Sequence, residues 1–66
     1  MIMSQVSSSR ISKVGWEHNT LYIQFKNGVM YEYINVSKSE YESFLASPSL
    51  GSALSRLDKI HDYNKL

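Results

Sequence analysis

The chain reads as an α+β fold: a three-stranded antiparallel meander followed by two short helices packed on one face. Three observations predict it. Two β-patterned segments, Leu21-Tyr22-Ile23-Gln24-Phe25 and Val29 to Val36, meet at Lys26-Asn27-Gly28, which is hairpin chemistry. Ser37-Lys38-Ser39-Glu40 has the spacing of a capping box, the opening of a helix. Leu50, Ala53, Leu54 and Leu57 then recur at i, i+3, i+4 and i+7, the stripe of an amphipathic helix.

Sixty-six residues form one domain, 1–66, and the absence of cysteine removes disulfides and thiolate metal sites together. A chain this short buries only about 60% of its unfolded surface. Its stability therefore rests on core packing and self-association.

Residues 1–9 read as a loose lead-in ending in Ser7-Ser8-Ser9. The first strand runs from Arg10 to Trp16. Ile11 and Val14 stand at opposite parity, so a regular strand cannot bury both, and Gly15 marks the expected bulge or bend. Glu17-His18-Asn19 is a turn, since Asn tolerates positive φ. The second strand is Thr20 to Phe25 and the third Val29 to Val36, both rich in β-branched and aromatic residues.

Register decides which way the tyrosines face. A two-residue turn at Asn27-Gly28 sets Ile23 opposite Glu32, leaving a carboxylate in the core, which costs several kcal/mol. A three-residue loop with Gly28 in a bulge sets Leu21 opposite Tyr33, Ile23 opposite Tyr31 and Phe25 opposite Val29. The bulged register is expected. Its outward face carries Tyr22, Gln24, Met30, Glu32 and Ile34, an apolar set for a solvated surface. Tyr22, Met30 and Ile34 are the candidate self-association surface.

The first helix carries Tyr41, Phe44 and Leu45 on one face. The second starts at Ser47-Pro48, because proline suits a first helical turn. Residues 61–66 are a tail or a short extra strand.

Seven Lys and Arg against six Asp and Glu give a net charge of +1 with no basic stripe. Duplex DNA is not the expected partner, because each phosphate contact wants its own cation. A small anionic ligand, a short RNA or a protein fits better. No apolar run approaches the ~20 residues of a membrane span. Met1 to Val6 lacks the basic flank and long apolar core of a signal peptide, so the cytoplasm is the expected location. No Ser-His-Asp or paired-carboxylate arrangement is legible, and His18 and His61 lack the spacing of a metal pair. The expectation is a protein without catalysis, metal or cofactor.

The candidate ligand site is Ser47-Pro48-Ser49-Leu50-Gly51-Ser52. Free backbone N–H groups at a helix start attract anions, and Ser49, Gly51 and Ser52 stand at it. Ordinary helix capping explains the same serines equally well. Arg56 and Arg10 are candidate phosphate partners, Arg being the bidentate donor; surface solvation is the alternative. Trp16 and Tyr33, with Tyr31, are candidate stacking platforms, or residues that serve the core.

Taken in order, Ser8-Ser9-Arg10-Ile11, Val14-Gly15-Trp16-Glu17, Leu21 to Phe25, Gly28, Tyr31, Tyr33, Val36 and Ser49-Leu50-Gly51 resemble the KTSC family over nearly the whole chain. Two positions depart from the family pattern. Ser37 stands where proline is frequent, and Ala53-Leu54-Ser55 where aromatic-aromatic-Asn is usual. The resemblance implies a binding module without enzymatic activity, and RNA binding for forms fused to lysyl-tRNA synthetases. The expected function is a self-associating binder of nucleotide-type ligands. By analogy with small phage proteins, its role is that of a sponge sequestering cyclic-nucleotide immune signals. The alternatives are an RNA-binding accessory module and a protein-interaction adaptor.

Overall fold

The computed structural model describes residues 2–66. In chain order the elements are β1 Ser4–Gln5, β2 Ile11–Glu17, β3 Thr20–Phe25, β4 Met30–Ile34, α1 Lys38–Leu45, α2 Leu50–Ile60 and β5 Tyr63–Lys65. The sheet has five strands, in the order β1-β2-β3-β4-β5, each antiparallel to its neighbour. The expected three-stranded meander is thus corrected to five. The added strands are the two edges; β5 decides for the short extra strand over the tail in residues 61–66. Ser4 and Gln5 pair with Val14 and Lys13, while Tyr63 and Lys65 pair with Tyr33 and Tyr31. Both are two or three residues long, exposed throughout and without alternation. Backbone bonds to a neighbouring strand hold them, and hydrophobic patterning carries no trace of such bonds. Short polar edges also discourage further pairing. Of the segment read as a loose lead-in, Met1 lies outside the described residues.

The core is built from Ile11, Val14, Leu21, Ile23, Tyr33 and Val36, closed by Phe44 of α1 and by Ala53, Leu54 and Leu57 of α2. Ile11 and Val14 are both 0% exposed despite their opposite parity. The cause is a bulge. Ile11 pairs with Phe25 and Lys13 with Gln24, so Ser12 is the extra residue. The irregularity therefore lies at Ser12, upstream of the Gly15 that suggested it. It lets one strand bury residues on both parities.

The two hairpins differ. Between β2 and β3 the loop is His18-Asn19, both at positive φ (51° and 58°), with Glu17 facing Thr20. This is the type I′ geometry that matches strand twist. Between β3 and β4, Gly28 at φ 90° donates its amide to the Phe25 carbonyl (2.9 Å), and the Phe25 amide donates to the Val29 carbonyl (2.9 Å). Leu21 then faces Tyr33 and Ile23 faces Tyr31, the bulged register. On the outward face Tyr22 lies beside Glu32, Met30 beside Gln24, and Ile34 beside Thr20; all three apolar residues are half-buried.

Both arms of the capping box form. The Glu40 amide donates to Ser37 Oγ (3.1 Å) and the Ser37 amide to Glu40 Oε1 (3.4 Å). In α1 Phe44 is buried and Tyr41 half-buried, while Leu45 is 41% exposed. At 100° per residue, a face centred between Tyr41 and Phe44 leaves Leu45 on its margin. α2 starts at Leu50 with Ser49 as N-cap, so Pro48 lies outside the helix it was expected to open.

Candidate functional site

Arg10 is fixed just before β2 by its own backbone. Ser8 Oγ accepts hydrogen bonds from the Arg10 and Ile11 amides (both 3.2 Å), and the Arg10 carbonyl accepts one from the Lys26 amide (3.0 Å). The serine lead-in, the start of β2 and the β3–β4 loop are thereby tied together. The Arg10 side chain runs along the first turn of α2. A Cβ placed on Gly51 would lie 3.7 Å from Arg10 Cδ and 3.9 Å from Nη1.

A groove of about 800 Å³ opens between these segments. One wall is Val6 and the serines at 7, 8 and 9. The other is the chain from Pro48 to Ser52 together with Ser55. Arg10 and Lys26 supply positive charge, and no Asp or Glu lines the space. At the helix start, Ser49 Oγ accepts from the Ser52 amide (3.4 Å) and contacts Ser52 Oγ (3.2 Å). Part of the capping capacity is thus used internally. The Leu50 and Gly51 amides have no capping acceptor among the hydrogen bonds of the described residues.

A second groove, of about 430 Å³, also has Arg10 in its wall. Its lining is aromatic. Phe25 and Tyr31 meet edge to face at 5.6 Å, and Tyr63 lies 5.7 Å from Tyr31 and 5.3 Å from Tyr33. Tyr33 is 2% exposed and its hydroxyl donates to Asp58 Oδ1 at 2.6 Å. Burial first, and then this bond, push the Tyr33 hydroxyl far above its ordinary range. A smaller cavity of about 330 Å³ is lined by Arg10, Phe25, Lys26 and Asn27. Arg10 is the one residue common to all three.

Of the residues singled out in the sequence, Ser49, Gly51, Ser52 and Arg10 come together in the first groove. Tyr33 lies in the second, with its ring in the core. Arg56 is exposed on α2 and lines none of the three cavities. Trp16 sits at the far end of β2, about 20 Å away at ~3.3 Å per residue. Its indole N–H donates to the Val36 carbonyl (2.8 Å) and its ring stacks on Tyr41 (6.3 Å, 18°). The geometry therefore ties Trp16 to the β4–α1 junction.

Sequence reading missed Lys26, Ser55, Phe25, Tyr63, Asp58 and Lys65 as groove residues. Ser55 follows Ser52 by one helical step, so its position was recoverable. Tyr63 and Lys65 belong to a strand that no periodicity announces.

The end of the sheet opposite Arg10 holds another polar knot. His61 Nδ1 is 3.0 Å from the Ile34 carbonyl and Nε2 is 2.7 Å from Glu40 Oε2. The ring thus bridges the Ile34 carbonyl at the end of β4 and, through Nε2, the Glu40 carboxylate in the first turn of α1. That bond, with the Ser37 contacts, holds the Glu40 carboxyl below the usual glutamate range.

Among the described residues no three His, Asp or Glu group to hold a metal ion, and no helix is long and apolar enough to cross a membrane. No match is found among curated protein sequences. The KTSC domain family model matches residues 7–63. The crystal structure of a KTSC domain protein from Yersinia pestis superposes with a TM-score of 0.86 at 30% identity, over 98% of this chain and 96% of that one. The family match spans most of the lining of both grooves and the structural match nearly the whole chain, and on these grounds the chain belongs to the KTSC domain family.

Proposed function

We propose that this chain is a non-catalytic binding protein for nucleotide-type ligands, with phosphate held in the serine-lined groove by Arg10, Lys26 and the start of α2. The observation that carries the reading is the groove's composition. Two cations, six serines and the first turn of α2 converge on one space without a carboxylate. Hydroxyls and backbone amides donate to phosphate oxygens, and Arg binds them as a fork. The second groove supports the nucleotide class, because it places aromatic faces on the other side of the same arginine.

Both grooves open to solvent, so enclosing a nucleotide calls for a second copy of the chain. Self-association through Tyr22, Met30 and Ile34 belongs to the proposal, and the half-buried state of all three makes this a modest surface. A binder without turnover sequesters its ligand. In the cytoplasm of an infected cell that is the action of a phage-type sponge on cyclic-nucleotide signals. Short RNA is the second reading. Lys26, Arg10 and Lys65 favour it, since they succeed one another along the two grooves as backbone contacts would.

Calorimetry with cyclic dinucleotides, linear dinucleotides and short RNAs tests the proposal. Expected is saturable binding of a dinucleotide, with the ligand recovered chemically intact. Binding of RNA alone would favour the accessory-module reading. Binding of no member of the panel would leave a protein adaptor.

A further inference from the structure

We propose that the second groove is a nucleobase pocket selective for guanine, with Asp58 reading the base and Tyr31 and Tyr63 stacking on it. The inference rests on the reading that the first groove takes phosphate. It comes from how charge divides on the two sides of Arg10. The first groove has Arg10 and Lys26 and no carboxylate, whereas the second sets Asp58 against Arg10 and Lys65. A carboxylate repels phosphate, so a ligand that bridges the grooves has one direction: phosphate in the first, an uncharged hydrogen-bond donor in the second.

The aromatic lining says what that donor group looks like. Tyr31 lies between Phe25 at 5.6 Å and Tyr63 at 5.7 Å, and Tyr63 is 47% exposed. This is a π surface with an accessible edge, suited to a flat heterocycle. Asp58 says which heterocycle. Its Oδ1 is fixed by the Tyr33 hydroxyl at 2.6 Å, and Oδ2 has no partner among the described residues. An ionised carboxylate only accepts. Guanine offers it two adjacent donors, the ring N1–H and the exocyclic N2 amino group. Adenine presents a donor beside an acceptor on the corresponding edge, so one of its contacts is repulsive. A good bidentate pair discriminates between bases by about fivefold to 150-fold.

The test uses nitrogen-15 labelled protein and three probes: guanosine 5′-monophosphate, adenosine 5′-monophosphate and ribose 5-phosphate. Amide shifts are followed on titration. Expected is at least tenfold tighter binding of the guanine nucleotide than of the adenine nucleotide, with shifts at Tyr31, Asp58 and Tyr63. Asp58→Asn keeps an oxygen for Tyr33 and so preserves the fold. It is expected to abolish that preference while leaving ribose 5-phosphate unchanged. Tyr63→Leu, on an exposed edge, is expected to weaken both nucleotides alike. Equal binding of all three probes would overturn the base pocket and leave the phosphate groove standing. A guanine preference that survives Asp58→Asn would overturn the role of Asp58. Binding of none of the probes would remove the phosphate reading and this one with it.

Discussion

The two ends of the sheet are built to different purposes. At the Trp16 end, side chains turn on the protein itself. The indole N–H meets the Val36 carbonyl, Tyr41 covers the ring, and Glu40 serves Ser37 with one oxygen and His61 with the other. At the Arg10 end Ser8 and Ser49 tie down backbone amides, but the charged side chains are left open. The guanidinium has no ion pair among the described residues, and six serines, a lysine and an aromatic edge face open grooves. On the proposed reading, the first end serves stability and the second takes the ligand. Substitutions at the first should therefore change stability, and those at the second should change binding.

The largest expected effect falls at the closed end. Trp16→Ala removes a half-buried ring and leaves the Val36 carbonyl without its donor, a loss of about 3 kcal/mol. A domain of this length has only about 5 kcal/mol in all, so the urea midpoint should fall by more than half. Ser37→Ala comes next, at about 1 kcal/mol for the lost cap.

The same knot gives a pH dependence. Glu40 has a lowered folded-state pKa, chiefly through His61. Its contribution is present above the ordinary glutamate range and is lost as pH falls through the lower folded-state value. Glu40→Gln should flatten the acid limb of the stability profile. An acid limb identical to that of the wild type would remove Glu40 from the closed end's account.

How legible this division was depends on what each feature leaves in the sequence. The bulged hairpin was readable because the alternative register places Glu32 in the core, a penalty large enough to choose between two geometries. The capping box was readable from its spacing alone. The edge strands were not, since Ser4–Gln5 and Tyr63–Lys65 are positioned by a neighbour's backbone. Residues 61–66 read as a tail or a short extra strand with no register, which leaves Tyr63 and Lys65 and the aromatic groove they line unplaced. The bulge was read as near Gly15 because glycine is the usual marker, yet it falls at Ser12. Gathering Ser49, Gly51 and Ser52 at a helix start needed only local pattern, whereas separating Arg10 from Arg56 needed the fold. Both are exposed arginines; only Arg10 lies over Gly51.

Smaller effects sharpen the contrast. The type I′ turn carries His18 and Asn19 at positive φ, where Asn-Gly is preferred. The pair His18→Asn with Asn19→Gly should raise stability by about 0.5–1 kcal/mol and leave ligand binding untouched, as measured by thermal melts and calorimetry side by side. Gly51→Ala sits at the open end. Its backbone φ is not positive and its added Cβ makes only ordinary contact with Arg10. The helix should gain about 0.5 kcal/mol while dinucleotide binding weakens, because the methyl group enters the groove. A gain in stability with no change in binding would mean that ligand does not approach this turn.

The most direct test of the division is Arg10→Ala, measured for stability and for binding on the same preparation. Arg10 is exposed and lines every groove described above. The predicted result is an unfolding free energy within about 0.5 kcal/mol of the wild type, with dinucleotide affinity down tenfold or more and the loss greatest at low salt. A variant that binds as well as the wild type would contradict the account, and so would one that loses binding only because it no longer folds.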